Sequence, residues 1–123
     1  MTTTREDELL SILQNYFNPR EEGWLWLASY CGDDPQGVLG QFEGAYEDVD
    51  ATGRGLAAII NGVGADRYFL ALCRREGRPT EGDRQLWRIV RDQVEGDTLS
   101  DMVVFNRRRA WSMREEDAAA VRL

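Results

Sequence analysis

Asp66–Trp87 reads DRYFLALCRREGRPTEGDRQLW, and its three parts decide the architecture. Tyr68-Phe69-Leu70-Ala71-Leu72-Cys73 is a short apolar run, rich in aromatics, with the length and make-up of a buried strand. Arg74 to Arg78 is polar and contains Gly77, so the chain leaves the core there. Pro79-Thr80-Glu81-Gly82-Asp83 then reads as a helix start, with carboxylates in the first turn where the macrodipole favours them. Strand, loop and helix in this order form the unit of an α/β fold, and in many such folds the loop between them carries the chemistry.

The same patterns extend in both directions. Upstream, residues 54–63 predict a short helix with Leu56, Ile59, Ile60 and Val63 on one side, closed by Gly62 and Gly64. Trp24 to Cys31 is apolar at successive positions, as a strand covered on both faces must be. Residues 3–17 predict a first helix, capped by Thr3 or Thr4, with Leu9, Leu10, Ile12, Leu13, Tyr16 and Phe17 at helical spacing. Gly32 to Gly37 has turn chemistry. Residues 38–50, VLGQFEGAYEDVD, fit a helical face through Val38, Phe42, Ala45 or Tyr46, and Val49. Gly40 and Gly44 oppose that helix by roughly 1 kcal/mol each, and a strand followed by a loop is the alternative. Downstream, the spacing predicts a helix over 80–95 that buries Leu86, Trp87, Val90 and Val94 and stops at Gly96. A strand Leu99–Phe105, a turn at Asn106–Arg108, a returning strand Arg109–Met113 and a short helix from Arg114 to Leu123 complete the chain. There is no repeat or linker. The expected architecture is one layered α/β domain over residues 1–123, a small central mixed sheet with flanking helices. Its parts are an N-terminal helix and connection (1–20), an α/β core (21–115) and a terminal helix or tail (116–123).

The 123 residues, 42% hydrophobic, suffice for one core. The apolar runs fall well short of the ~20 residues a membrane span needs, and MTTTREDELL lacks the basic-then-apolar order of a secretory leader. Two Cys make no disulfide framework. These features predict a cytoplasmic protein with Cys31 and Cys73 as reduced thiols. The formal charge of −7 is unevenly spread. Residues 1–52 hold eleven acids and two bases, a net of −9, and residues 53–123 hold thirteen Arg and eleven acids, a net of +2. An acidic chain is poorly suited to nonspecific nucleic-acid binding, because phosphate contacts need cations. There is no His. That removes the usual Ser-His-Asp and Cys-His mechanisms, His-bearing zinc sites and the commonest general acid/base at neutral pH.

The order of apolar strand, polar loop, Pro79-Thr80-x-x-Asp83, helix, Leu99–Phe105 (LSDMVVF), basic turn and Ala110–Met113 (AWSM) resembles the JAB/MPN metalloprotease-like family, most closely its RadC-like branch. The similarity spans roughly residues 54–115. The resemblance implies a zinc held by two His and an Asp, with a Glu that activates the bound water. Anchored on Asp83, it places Thr80 at the family's Ser position and Leu70 and Leu72 at the two His positions. Ser100-Asp101-Met102 and Trp111-Ser112 fall at its two later strand motifs. Leu cannot coordinate a metal, and Asp83 alone is not a site. The resemblance therefore implies a catalytically inactive form of the fold, with no cofactor.

Other candidates each have a plain structural reading beside the functional one. Thr80 and Asp83 suit a helix cap. Asp48-x-Asp50-x-Thr52-Gly53 is similar to the start of a calcium loop, but the twelfth position is Ile59 where a bidentate Glu is needed. Cys73 alternates away from Arg74 and reads as a small buried hydrophobe. Arg84, Arg88 and Arg91 line one helix face, either to hold a partner's acids or to pair with Asp92 and Glu95. Arg107, Arg108 and Arg109 make a basic turn, and Glu43, Glu47, Asp48 and Asp50 an acidic stretch. These charged groups define the expected interaction surface. The expected function is a non-catalytic protein-interaction module that binds another protein or a second copy of itself. An acidic inhibitor, immunity protein or DNA mimic acting on a nucleic-acid-handling enzyme is the alternative.

Overall fold

A computed structural model describes residues 5–18, 20, 22–31, 34–42 and 48–121. Among them the order is α1 (Arg5–Tyr16), β1 (Leu25–Cys31), β2 (Asp34–Phe42), α2 (Val49–Val63), β3 (Arg67–Cys73), α3 (Glu81–Gln93), β4 (Leu99–Phe105), β5 (Ala110–Ser112) and α4 (Met113–Val121). The strands form one mixed sheet in the order β2-β1-β3-β4-β5. β3 and β4 are parallel, and the other three pairings are antiparallel. β3 is thus the central strand, with Leu25 opposite Leu72 on one side and Leu72 opposite Val104 on the other.

Strand alternation sorts the core into two layers. On one face Leu25, Leu27, Tyr68, Leu70, Leu72, Met102 and Val104 meet Leu56 and Ile60 of α2 and Leu86, Trp87 and Val90 of α3. On the other face Trp26, Ala28, Tyr30, Phe69, Ala71, Cys73, Val103 and Phe105 form a second cluster with Phe17. Leu9, Leu10 and Leu13 of α1 pack against that cluster. The sheet is therefore sandwiched between α2 and α3 on one side and α1 on the other. Both faces of β1 and β3 are covered, which is why Leu25–Ala28 and Tyr68–Cys73 are apolar at successive positions.

Two expectations need correction. Residues 34–37 are strand, not loop, and 38–42 continue it; β2 pairs with β1 from Leu25↔Phe42 to Cys31↔Asp34. The helical face read into 38–50 is not formed at 38–42, and residues 43–47 lie outside the described residues. The helix read at 54–63 begins at Val49, capped by the Asp48 carboxylate, which accepts from the Ala51 amide at 3.1 Å. Glycine at position 53 is required by packing rather than by a turn. A Cβ there would lie 2.5 Å from Ile89 Cγ2, so α2 and α3 touch at this point.

Candidate functional site

The loop from β3 to α3 begins as the sheet ends. Thr80 caps α3: its side chain accepts from the Asp83 amide at 3.2 Å, and Asp83 Oδ2 accepts from the Thr80 amide at 2.9 Å, a reciprocal capping box. Asp83 is fully buried. Its remaining capacity is taken by Arg74, whose Nε–H donates to Oδ2 at 3.2 Å and Nη2–H to Oδ1 at 2.8 Å. A bidentate guanidinium–carboxylate pair of this kind holds two groups in one fixed geometry. Leu70 and Leu72 are fully buried in the layer beneath α2 and α3. The positions where the resemblance would put zinc ligands therefore do not fit zinc. Two are hydrocarbon inside the core, and the carboxylate already accepts hydrogen bonds on both oxygens. Arg74 is the residue that sequence reading missed here. Its signal was weak, a first polar residue after a strand, facing a helix start nine residues on.

The later motif positions do converge. Ser112 Oγ donates to Asp101 Oδ2 at 2.5 Å and accepts from the Glu115 amide at 3.1 Å. Asp101 Oδ1 accepts from the Met102 amide at 2.7 Å and the Arg114 amide at 3.0 Å. Together they satisfy two free N–H groups in the first turn of α4. These hydrogen bonds are those of a helix cap.

The arginine face of α3 is turned towards α4. The Arg84 guanidinium donates from Nε and Nη2 to Glu116 Oε1 at 3.2 and 3.0 Å. That bond raises the Arg84 pKa above its ordinary value, against the opposing effect of burial, with smaller help from the nearby Glu116, Glu81 and Asp83 charges. Arg91 pairs with Asp117 and lies over the Trp87 ring, 6.0 Å from its centroid. The Trp87 indole N–H donates to the same Asp117 oxygen at 2.5 Å. Arg88 is half exposed, 3.7 Å from Glu81. The i, i+4 pairs with Asp92 and Glu95 suggested by sequence spacing are replaced, among the described residues, by contacts to Glu116, Asp117 and Glu81 and by an Arg91–Asp92 neighbour pair at 3.3 Å.

Beyond the C-terminal ends of β3 and β4, the basic turn forms the rim of a cleft. Asn106 builds the turn: its Oδ1 accepts from the Arg108 and Arg109 amides at 2.8 and 2.9 Å, and its Nδ2 donates to Arg75 O at 2.9 Å. Gly77, at φ +67°, lets the β3–α3 loop close onto the turn; a Cβ there would sit 2.6 Å from Arg109 Cγ. Arg107 Nε–H donates to Phe17 O at 2.9 Å, which ties the end of α1 to the same corner. Phe17, Arg75, Asn106, Arg107 and Arg108 line a cleft of about 380 Å³. Among the described residues no carboxylate pairs with Arg108 or Arg109, and Glu22 stands 3.8 Å from Arg75. The site presents cations over an apolar floor.

On the acidic side, Asp48 caps α2 and Asp50 pairs with Arg54, while Glu43 and Glu47 lie outside the described residues. Asp50 and Thr52 stand on a helix rather than in a loop, so the calcium-loop geometry is not formed. Cys73 is buried beside Ala71, and Cys31 is exposed. Among the described residues no helix is long and apolar enough to cross a membrane. Comparison with protein-family models finds no match, and comparison with curated proteins finds no similar sequence.

Proposed function

We propose that the chain is a cytoplasmic, non-catalytic protein-interaction module on a degenerate JAB/MPN-like fold. One observation carries the reading: the strand–loop–helix that would hold a metal centre is spent on stability, while cations gather beside it. Asp83 is locked by Arg74 and Thr80, and Leu70 and Leu72 are core. The basic cleft then takes acidic side chains of a partner, with Arg75 and Arg108 at its rim supplying planar, bidentate donors. Because the chain carries a net charge of −7, a long polyanion is repelled outside the cleft, and a short acidic segment suits it better.

The test is affinity capture with the wild-type chain and with an Arg75→Glu/Arg108→Glu variant. Partners held by the wild type and lost by the variant support the reading. Capture of a basic, DNA-processing enzyme that DNA releases, unchanged in the variant, points instead to the acidic inhibitor. Stoichiometric zinc that disappears in Asp83→Ala would overturn the non-catalytic reading.

A further inference from the structure

The contact between α3 and α4 has an unusual composition. Arg84, Trp87 and Arg91 lie at i, i+3 and i+7 and form one stripe on α3. Glu116 and Asp117 of α4 answer that stripe with carboxylates. Among the described side chains of α4, Met113 alone is buried, at the very start of the helix. Apart from the buried Trp87 ring, the rest of the described contact is charged and partly exposed: Arg84 and Glu116 keep 33% and 23% of their side-chain surface, Arg91 and Asp117 43% and 33%. Ion pairs this open are screened by salt and hold weakly. A helix of nine residues is also too short to persist alone. Its remaining attachment among the described residues is at its start: the three-residue strand β5, the Ser112–Asp101 cap and the buried Met113. Such an element opens at far lower cost than the core it covers.

We propose that the arginine face of α3 is a docking site for an acidic helix, that α4 occupies it as an internal stand-in, and that an acidic helical segment of a partner protein displaces α4. The chemistry of the occupant is read from α4 itself: adjacent carboxylates that reach two guanidiniums two turns apart, one of them also accepting the Trp87 indole N–H. Arg88, already half exposed, offers a third cation to a partner helix longer than α4. Because α4 is tethered, it competes at an effective concentration on the order of millimolar. A partner must exceed it in affinity, and weakening α4 opens the site. This proposal concerns a different face from the basic cleft and stands without it.

The test uses the full chain and a labelled peptide with the sequence of residues 112–123 (SMREEDAAAVRL). Binding by fluorescence anisotropy is compared for the wild type and Glu116→Gln/Asp117→Asn. The variant is expected to bind the peptide about tenfold more tightly, equivalent to about 1.4 kcal/mol of α4 docking. Adding Arg84→Glu to that variant should abolish binding. Equal affinity of wild type and variant, or binding indifferent to Arg84→Glu, overturns the proposal. Hydrogen exchange on the wild type gives a second reading that needs no substitution. The α4 amides should exchange at least about tenfold faster than those of α3, and faster still in added salt; equal protection of the two helices overturns it. A wild-type dimer that Glu116→Gln/Asp117→Asn dissolves would place α4 in a second copy instead and would also overturn it.

Discussion

Asp83 has two neighbours that explain its burial without any catalytic role. Thr80 shares the capping box with it, and Arg74 binds both its oxygens. The sequence shows the cap, because Thr-x-x-Asp before an apolar helical face is a local pattern. It does not show Arg74, because that contact depends on how the loop folds back over nine residues. Replacing Asp83 with Asn should leave a partly buried guanidinium short of its counter-charge and weaken the cap, at a cost of about 3 kcal/mol. Urea unfolding should register this as a lower midpoint at unchanged slope. A loss below about 1 kcal/mol would contradict the structural role. Arg84 gives the opposite kind of expectation. Its pKa is raised in the folded chain, chiefly by the Glu116 hydrogen bond. A raised folded pKa contributes stability that is full below the unfolded value and is lost only as pH rises through the folded one. That window lies above the ordinary arginine value. Between about pH 7 and pH 10 the destabilisation caused by Glu116→Gln should therefore be constant; a cost that shrinks across this range would mean that another titrating group carries the contact.

At the scale of elements, β1, β3, α3 and β4 could be read from sequence because each has a marked apolar run or helical apolar face and distinct punctuation. β2 could not. It is an edge strand bound only to β1, its register shifts twice, and Pro35, Gly37 and Gly40 give it the composition of a turn. α2 began earlier than its spacing suggested for a related reason. Gly53 weakens a helix by propensity, yet packing demands it, since Ile89 leaves no room for a side chain. Gly53→Ala should therefore destabilise the domain by about 1–3 kcal/mol through overpacking, despite alanine's better helix propensity. Thermal unfolding checks the sign, and a gain in stability would show that α2 and α3 can separate freely at this point. Gly55, with no atom near its missing Cβ, is the control where alanine should instead stabilise.

Across the whole molecule, charge separates the two functional readings more sharply than fold does. The acidic first 52 residues and the basic turn Arg107–Arg109 were both visible as sequence blocks, but the cleft was not. It assembles Phe17, Arg75 and Arg107–Arg108 from three distant segments, and only the sheet order brings them to one corner. An acidic segment captured there should release steeply between about 0.05 and 0.5 M salt, because the Debye length contracts through the spacing of these exposed cations. It should be lost in Arg75→Glu/Arg108→Glu at any salt, with thermal stability changed by no more than about 0.5 kcal/mol, since neither side chain is buried. The acidic-inhibitor reading makes the reverse demand. A basic enzyme held by the first half should bind the charge-reversed variant at least as tightly, because that variant carries four more negative units at its cleft. Measuring capture of the same partner by both proteins across the salt series decides between them. Loss in the variant places the partner at the cleft, and a gain places it on the acidic half.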